Sequence, residues 1–538
     1  MNDSSHSRLL WLAAAVVACA CVGYVLFTGN VWEDYLITFR FSRNFARGNG
    51  LVYIPGERVH GFTSFFNVMI PAVADWLYGG ESIMPALTVY RTVCIAALTA
   101  AVATLGLAMR RDPTIPAAAI VVLAVAMAVD LKTVAYAGNG QETAFVWLFV
   151  AIGILAIERG IVGHWLLFGL SATGLMYTRP DGFVFAAILG LAGLVIPVNP
   201  EDSRRSVSAG FVPLVKAAGV CVACYAPWLA WVWRYYGTPI PHTVIAKVNA
   251  YGDVHAARSP LEWSVAWAGH TLQDAASEYA PIYFNPADWP AWTPTLCLLL
   301  VGLSIAPLLM PAAPGLARRS ALAFLLGLAY LGAIHTRIGL LFPWYTTFAA
   351  LAGTVSIATA GCWLVQRCAE RTWARVVVAA TLLSVGVGMA VLSYHGWRQL
   401  ALQQQEIEWG VRAKVGRWLA EHAGENDRVL LEPIGYIGFF SNAKLYDYPG
   451  LVSPAVVDAR RRGHRSIPEV AAFLRPEWLV LRRNELADAG RHLELREAYD
   501  VVQQFQASPR LRDSVIAGGC QGSGWLAFDA EYTILKRR

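Results

Sequence analysis

Charge is what this 538-residue chain has least of: Asp, Glu, Lys and Arg make up 15% of it, against 56% apolar residues. A soluble domain carries about 25% charged residues. An ordinary soluble enzyme, a disordered chain and a nucleic-acid binder are thereby excluded. Cysteine is also sparse. The nine residues, eight of them in or beside apolar runs, form neither a disulfide framework nor a metal-ligand spacing. No phosphate-binding or dinucleotide glycine pattern stands in a useful context, and the two halves show no internal repeat. The net charge of +6 is too small to imply an acidic partner.

The charges that are present are unevenly placed. Of the 80 Asp, Glu, Lys and Arg residues, 38 lie after position 394, in the last 144 residues. This predicts a polytopic α-helical membrane protein, with residues 1–394 in the membrane and 395–538 as a soluble C-terminal α/β domain. A span needs roughly 20 mostly apolar residues. Eleven runs qualify, with soft edges: 9–28, 84–109, 115–131, 141–157, 163–178, 182–198, 211–235, 292–313, 320–335, 342–365 and 374–394. The first is read as a retained helix, not a cleaved signal. Basic residues mark cytoplasmic loops. Arg8, Arg110, Arg111, Arg159, Arg204, Arg205, Arg318, Arg319, Arg367, Arg371 and Arg375 fall on one side if the N-terminus is cytoplasmic. The long polar loops and the C-terminal domain then share the other side, in a bacterium the periplasmic face of the inner membrane. ATP and nucleotide sugars are absent there, so any chemistry needs an activated substrate delivered through the membrane.

The first outer loop, 29–83, opens with Glu33 and Asp34 just past the first span. A helix is expected over 33–47, with Arg40, Arg43 and Arg47 on one face at headgroup height. Gly48-Asn49-Gly50 ends it, and a turn at Pro55-Gly56-Glu57 leads to a second apolar segment, 62–79. In the functional reading, a carboxylate is general base towards a hydroxyl and arginines hold a phosphate. In the other reading, an N-terminal acid caps the helix and the arginines merely snorkel.

Four more polar clusters are expected on the same side. Gln141 and Glu142 stand at a helix start, where Glu142 also suits the helix dipole. Arg179 and Asp181 sit in YTRPDG, either at work or as a mutual salt bridge. Tyr236, His242 and Lys247 lie in RYYGTPIPHTVIAKVNAYG, and His335, Arg337, Trp344 and Tyr345 form the last cluster. The aromatics also suit an interfacial belt. Several clusters from separate helix pairs facing one compartment point to a single outer cavity.

In the C-terminal part, 398–424 reads as an amphipathic helix, with strands at 428–432, 443–448, 478–482 and 531–536 and helices at 467–475 and 485–498. The aromatic loops 432–440 and 447–451 either close over an acceptor or are turn chemistry.

The stretches WEDYLITFRFSRNFARGNGLVYIPGERVHGFTSF, GNGQETAF, YTRPDGF, YYGTPIPHTVIAK and LYDYPGL together resemble the GT-C superfamily of integral-membrane glycosyltransferases. The resemblance is nearest to the branch of the mycobacterial terminal arabinofuranosyltransferases. Two adjacent acids, an aromatic, the Arg40–Asn44 segment and the run Gly50 to Thr63 follow that branch's pattern, in which the position of Glu33 is usually Asp. The resemblance implies a polyprenyl-phosphate sugar as donor, an inverting transfer and a first-loop acid as catalytic base. Glu33 and Asp34 both remain candidates for it.

The expected function is therefore transfer of a sugar, arabinofuranose by resemblance, from a polyprenyl-phosphate donor to an extracytoplasmic glycan, lipid or protein acceptor. Arg40, Arg43, Arg179, His242 and Lys247 are the candidates for the donor phosphate. Asn44, Glu142, Asp181, Tyr236, Trp344 and Tyr345 are the candidates for substrate contact. No cofactor or metal is expected, and the other partners are membrane lipids. Two rivals are a carrier of a lipid-linked sugar, which would favour mid-membrane charges and repeats, and an assembly protein acting through 395–538.

Overall fold

The structure, a computed structural model, describes residues 3–198, 207–252, 259–368, 370–511 and 521–538. Arg204 and Arg205, counted above among the cytoplasmic basic residues, lie outside the described residues.

Each of the eleven apolar runs falls on a helix. In chain order the first half comprises α1 (Asp3–Thr28), α2 (Glu33–Ala46), α3 (Phe65–Tyr78), α4 (Met84–Met109), α5 (Ala118–Val129), α6 (Leu131–Gly138), α7 (Thr143–Glu158), α8 (Ile161–Thr178), α9 (Gly182–Val195) and α10 (Val207–Tyr236). There follow α11 (His242–Tyr251), α12 (Pro260–Ser277), α13 (Thr293–Ile305), α14 (Gly315–Ile338), α15 (Thr347–Arg367) and α16 (Thr372–Leu402). Among the described residues seven helices are long and apolar enough to cross a membrane, or eight if the bent pair α5–α6 is one span. Helices α7, α9 and α13 are shorter apolar elements. Leu26, Leu309 and Leu383 stay exposed on the outside of the bundle, a surface that water would penalise and lipid solvates. The protein is a multi-pass membrane protein.

The run 115–131 is not one straight span. The chain bends by 70° between α5 and α6. Asp130 makes the break: its carboxylate accepts from the Thr133 amide at 2.8 Å and caps α6. The bend directs the chain to the turn holding Gln141 and Glu142.

Helix α2 ends where the glycines predict, with Gly48 at φ +81°. Its placement differs from expectation. Tyr35 to Ser42, Arg40 among them, are all buried, and α2 packs on α3 and on the C-terminal part, while Arg43 is half-buried and Arg47 exposed.

Helix α16 does not stop at the expected boundary of 394. It continues through a π-helical stretch, Gln403–Arg412, into α17 (Ala413–His422), so that one helix of 51 residues, Thr372–His422, joins the two parts. The π turn points Gln403, Gln404, Glu408 and Arg412 inward, all buried. Beyond it stands a five-stranded sheet: β1 (Arg428–Leu431), β2 (Lys444–Asp447), β3 (Trp478–Arg482), β4 (Tyr499–Gln506) and β5 (Glu531–Arg537), in the order β2-β1-β3-β5-β4. Strand β1 runs parallel to β2 and β3, whereas β5 is antiparallel to β3 and β4. Short helices, α18 (Tyr436–Ser441) among them, pack around it. Strand β4 was not expected; Tyr499 is its only buried residue, and a bulge between Val501 and Gln503 breaks the alternation of apolar and polar residues.

Candidate active site

Neighbouring residues on a helix point about 100° apart, and at the start of α2 this separates the two acids. Glu33 turns to the C-terminal part. Its Oε2 pairs with Arg412 Nη1 at 2.8 Å, and its Oε1 accepts from the Gly435 amide at 3.0 Å. The approach is so close that a Cβ on Gly435 would stand 2.2 Å from Glu33 Cγ. Arg412 is itself buried among Glu408 at 2.9 Å and Asp529 at 2.8 Å. Burial raises the Glu33 pKa, with Arg412 opposing it.

Asp34 turns the other way and lines two cavities. Among the described residues no cation lies within ion-pairing distance of it. Burial raises its pKa above the ordinary Asp value, and the Lys247 charge opposes the shift. The Gln141 amide is oriented so that its nitrogen donates to Glu142 at 3.0 Å and its oxygen accepts from the Trp32 indole at 2.8 Å.

The first cavity, about 330 Å3, is walled by Asp34, Glu142, Arg179, Asp181, Lys247 and Tyr345. Arg179 grips Asp181 in bidentate fashion, Nε at 2.9 Å and Nη2 at 3.1 Å, with Glu142 at 3.7 Å from Nη1. Asn67 Nδ2 donates to Glu142 at 3.3 Å and the Tyr330 hydroxyl to Asp181 at 3.2 Å. The arginine charge is thus matched before any ligand arrives. Lys247 is different. Its ammonium lies over the rings of Phe342 at 4.6 Å and Trp344 at 5.5 Å, and no carboxylate among the described residues is within ion-pairing distance. Apolar Phe183, Val244, Ile334 and Ile338 complete the wall, Phe183 and Val244 being exposed.

The second cavity, about 1080 Å3, lies between the membrane part and the C-terminal part. Lys132, Asp274 and His335 stand on one wall, and Glu432, Pro433 and Trp525 on the other. Asp34, Ile37, Lys247, Trp344 and Leu451 line both cavities, so the two meet at Asp34 and Lys247. Sequence reasoning missed Lys132 and Asp274, which sit singly in unremarkable segments.

Several predicted residues are elsewhere. Arg40 is buried and spends its guanidinium on the carbonyls of Gly438 at 2.6 Å and Ala443 at 3.0 Å, over the Tyr53 ring. Arg43 pairs with Asp75 at 3.3 Å and the carbonyls of Glu81 and Ser82. Asn44 Nδ2 donates to the carbonyls of Val52 and Tyr53. The Tyr236 hydroxyl donates to the Leu51 carbonyl at 2.6 Å. His242 faces Asp458 and Arg461 of the C-terminal part, and burial, then Arg461, lowers its pKa. None of these five lines either cavity. They fold the first loop and dock it. Asp34, Glu142, Arg179, Asp181, Lys247, Trp344 and Tyr345 converge at the first cavity, and Glu33 reaches the second. Among the described residues no three His, Cys, Asp or Glu side chains are grouped as a metal site.

Residues 397–529 match a family profile described as "Domain of unknown function (DUF8728)". Over 268 residues the chain is 29% identical to the terminal beta-(1->2)-arabinofuranosyltransferase of Mycobacterium tuberculosis, a match covering 45% of this chain and 39% of that protein. The chain thus spans well under half the length of this curated relative. In structure it aligns with ArnT from Cupriavidus metallidurans in the apo state, at TM-score 0.56 and 12% identity, over 99% of this chain and 98% of that one. It also aligns with the oligosaccharyltransferase of Archaeoglobus fulgidus tethered to an acceptor peptide, at TM-score 0.54 and 13% identity, over 94% and 74% of the two chains. The chain has the GT-C membrane fold, with a small C-terminal sheet domain, and its sequence is similar to that of a terminal arabinofuranosyltransferase.

Proposed function

We propose that this chain is a membrane glycosyltransferase that moves a sugar from a polyprenyl-phosphate donor to an extracytoplasmic glycan, lipid or protein acceptor. The observation that carries the reading is the position of Asp34: it opens to both cavities and has no ion pair among the described residues, while its neighbour Glu33 is held by Arg412 and Gly435. Asp34 is the base, and Glu33 fixes the start of α2 against the C-terminal part.

The acceptor enters through the larger cavity and the donor through the smaller one, whose apolar lip at Phe183 and Val244 suits a prenyl chain. Asp34 takes the proton of the acceptor hydroxyl. The oxygen attacks the anomeric carbon from the side opposite the phosphate, the carbon–oxygen bond to phosphate breaks, and the configuration inverts. The polyprenyl phosphate departs with the electron pair. Lys247 meets that charge, with Arg179 held beside it by Asp181. A raised pKa makes Asp34 a stronger base than an ordinary Asp. The name of the M. tuberculosis relative supports arabinofuranose as the sugar. The reading also takes the inner-membrane orientation with a cytoplasmic N-terminus and a periplasmic C-terminal domain, and uses no metal.

The test is transfer from a synthetic polyprenyl-phosphate arabinofuranose to glycan acceptors by the purified full chain in detergent. The product's anomeric configuration is read by NMR. An inverted linkage and loss of transfer in D34N support the reading; full transfer by D34N refutes it.

A further inference from the structure

Asp274 and His335 face each other across α12 and α14 on the membrane-side wall of the larger cavity. His335 Nδ1 lies 2.8 Å from Asp274 Oδ1. A carboxylate only accepts, so Nδ1 carries a proton and donates to Oδ1, which leaves Nε2 on the other edge of the ring to meet a hydroxyl. The ring is clamped from behind by His270, stacked on it at 4.2 Å. His270 in turn contacts Thr336 at 3.0 Å. Asp274 is 3% exposed, yet its second oxygen, Oδ2, has no hydrogen-bond partner among the described residues. A buried acceptor left bare is costly, so Oδ2 favours a donor brought by a ligand of the cavity.

The chemistry of that donor is constrained. Oδ2 calls for a donor, and a hydroxyl can supply one there while meeting Nε2 in either role. The nearby cation Lys132 is already engaged, with the Glu278 carbonyl at 2.7 Å and Thr346 at 3.2 Å. Of the other carboxylates of the cavity, Glu33 and Glu432 are matched by Arg412 and Arg482, whereas Asp34 and Asp288 have no ion pair among the described residues and disfavour an anion beside Asp274. In the same cavity Tyr283 lies between Trp32 and Trp525, and the Trp525 indole, 46% exposed, offers apolar ring surface of the kind that covers one face of a sugar. Neighbouring hydroxyls of an uncharged sugar ring satisfy every one of these requirements.

We infer that Asp274 and His335 form an acceptor-recognition pair that hydrogen-bonds two non-reacting hydroxyls of a glycan acceptor and turns the reacting hydroxyl towards Asp34. This rests on the glycosyltransferase reading above and narrows its acceptor to a glycan. The two are positioning residues: neither moves a proton in the reaction.

The experiment uses the full chain in detergent, the arabinofuranosyl donor above, and octyl disaccharides of pentofuranose and hexopyranose as acceptor probes, each with its mono-deoxy analogues. Asp274→Asn and His335→Gln are expected to raise the acceptor KM by about tenfold or more and to leave the donor KM within twofold. At one hydroxyl, deoxygenation should cost the unmodified chain about tenfold and D274N nothing, a coupling that a merely structural role would not produce. His335→Gln, which keeps an acceptor near the place of Nε2, should outperform His335→Ala. Should D274N fail to fold, the His335 pair of variants decides. Unchanged acceptor KM, an equal rise in donor KM, no deoxy coupling, or no glycosylation of any disaccharide overturns the inference. Full transfer by Asp34→Asn sinks instead the reading beneath it.

Discussion

Replacing Asp34 with Asn separates the two acids cleanly. The substitution preserves shape and removes only the capacity to take a proton. Asp34 has no ion pair to lose, so the fold should survive. A general base contributes about 100- to 10,000-fold to rate, which at about 1.36 kcal/mol per tenfold is about 2.7–5.4 kcal/mol on the barrier. Substrate contacts are retained, so kcat should carry the loss. Glu33→Gln is the control. The Gln oxygen still accepts from the Gly435 amide, and Arg412 keeps Glu408 and Asp529. One charge-assisted hydrogen bond is lost, about 1.5–3 kcal/mol of stability, and kcat should fall by less than about tenfold. Steady-state transfer of radiolabelled sugar in detergent, with thermal unfolding in parallel, reads both. A dead E33Q beside an active D34N would show that the roles are reversed, and two active variants would remove the first-loop acids from the chemistry.

Other consequences can be checked alongside. Lys247→Gln should raise the donor KM about tenfold and weaken product inhibition by polyprenyl phosphate, because it removes a cation that lines both cavities and has no carboxylate partner among the described residues; equal inhibition constants would contradict this. The base must be deprotonated to act, and burial raises the Asp34 pKa, so kcat/KM should fall with acid at a pH above 3.8, the ordinary Asp value; a profile flat down to that pH would be contrary. Arg412→Ala leaves Glu408 buried without its cation, while Asp529 keeps Arg482, so stability should drop by about 3–5 kcal/mol, seen as a lower Tm, whereas an unchanged Tm would be contrary. Transfer should persist in EDTA, since the leaving phosphate is assigned to Lys247, and abolition restored by a divalent cation would overturn that assignment.

The helices were legible because lipid-facing helices are apolar all round, and α16 could be followed into the soluble part by its amphipathic continuation. The bend at Asp130 was not, since one acid in an apolar run looks like a span end. Strand β4 was missed for want of apolar alternation. In the site, Asp34, Glu142, Arg179, Asp181 and Lys247 stood out because charge next to the membrane is rare. The arginines of α2 misled: their spacing is right for a phosphate-facing stripe. The carbonyls of Gly438 and Ala443 that consume Arg40 come from about 400 residues away in the chain, and nothing local announces them. The same distance hid the partner of Glu33. Only the fold shows that one acid is a strut and the other is open.

The most direct measurement is a structure of the full chain with a non-transferable phosphonate analogue of a polyprenyl-phosphate sugar. The phosphonate should lie within hydrogen-bonding reach of Lys247 Nζ, the prenyl chain should leave past Phe183 and Val244, and the anomeric carbon should face Asp34. A headgroup seated at Arg40 or Arg43, or a sugar with its anomeric carbon turned from Asp34, would contradict the mechanism.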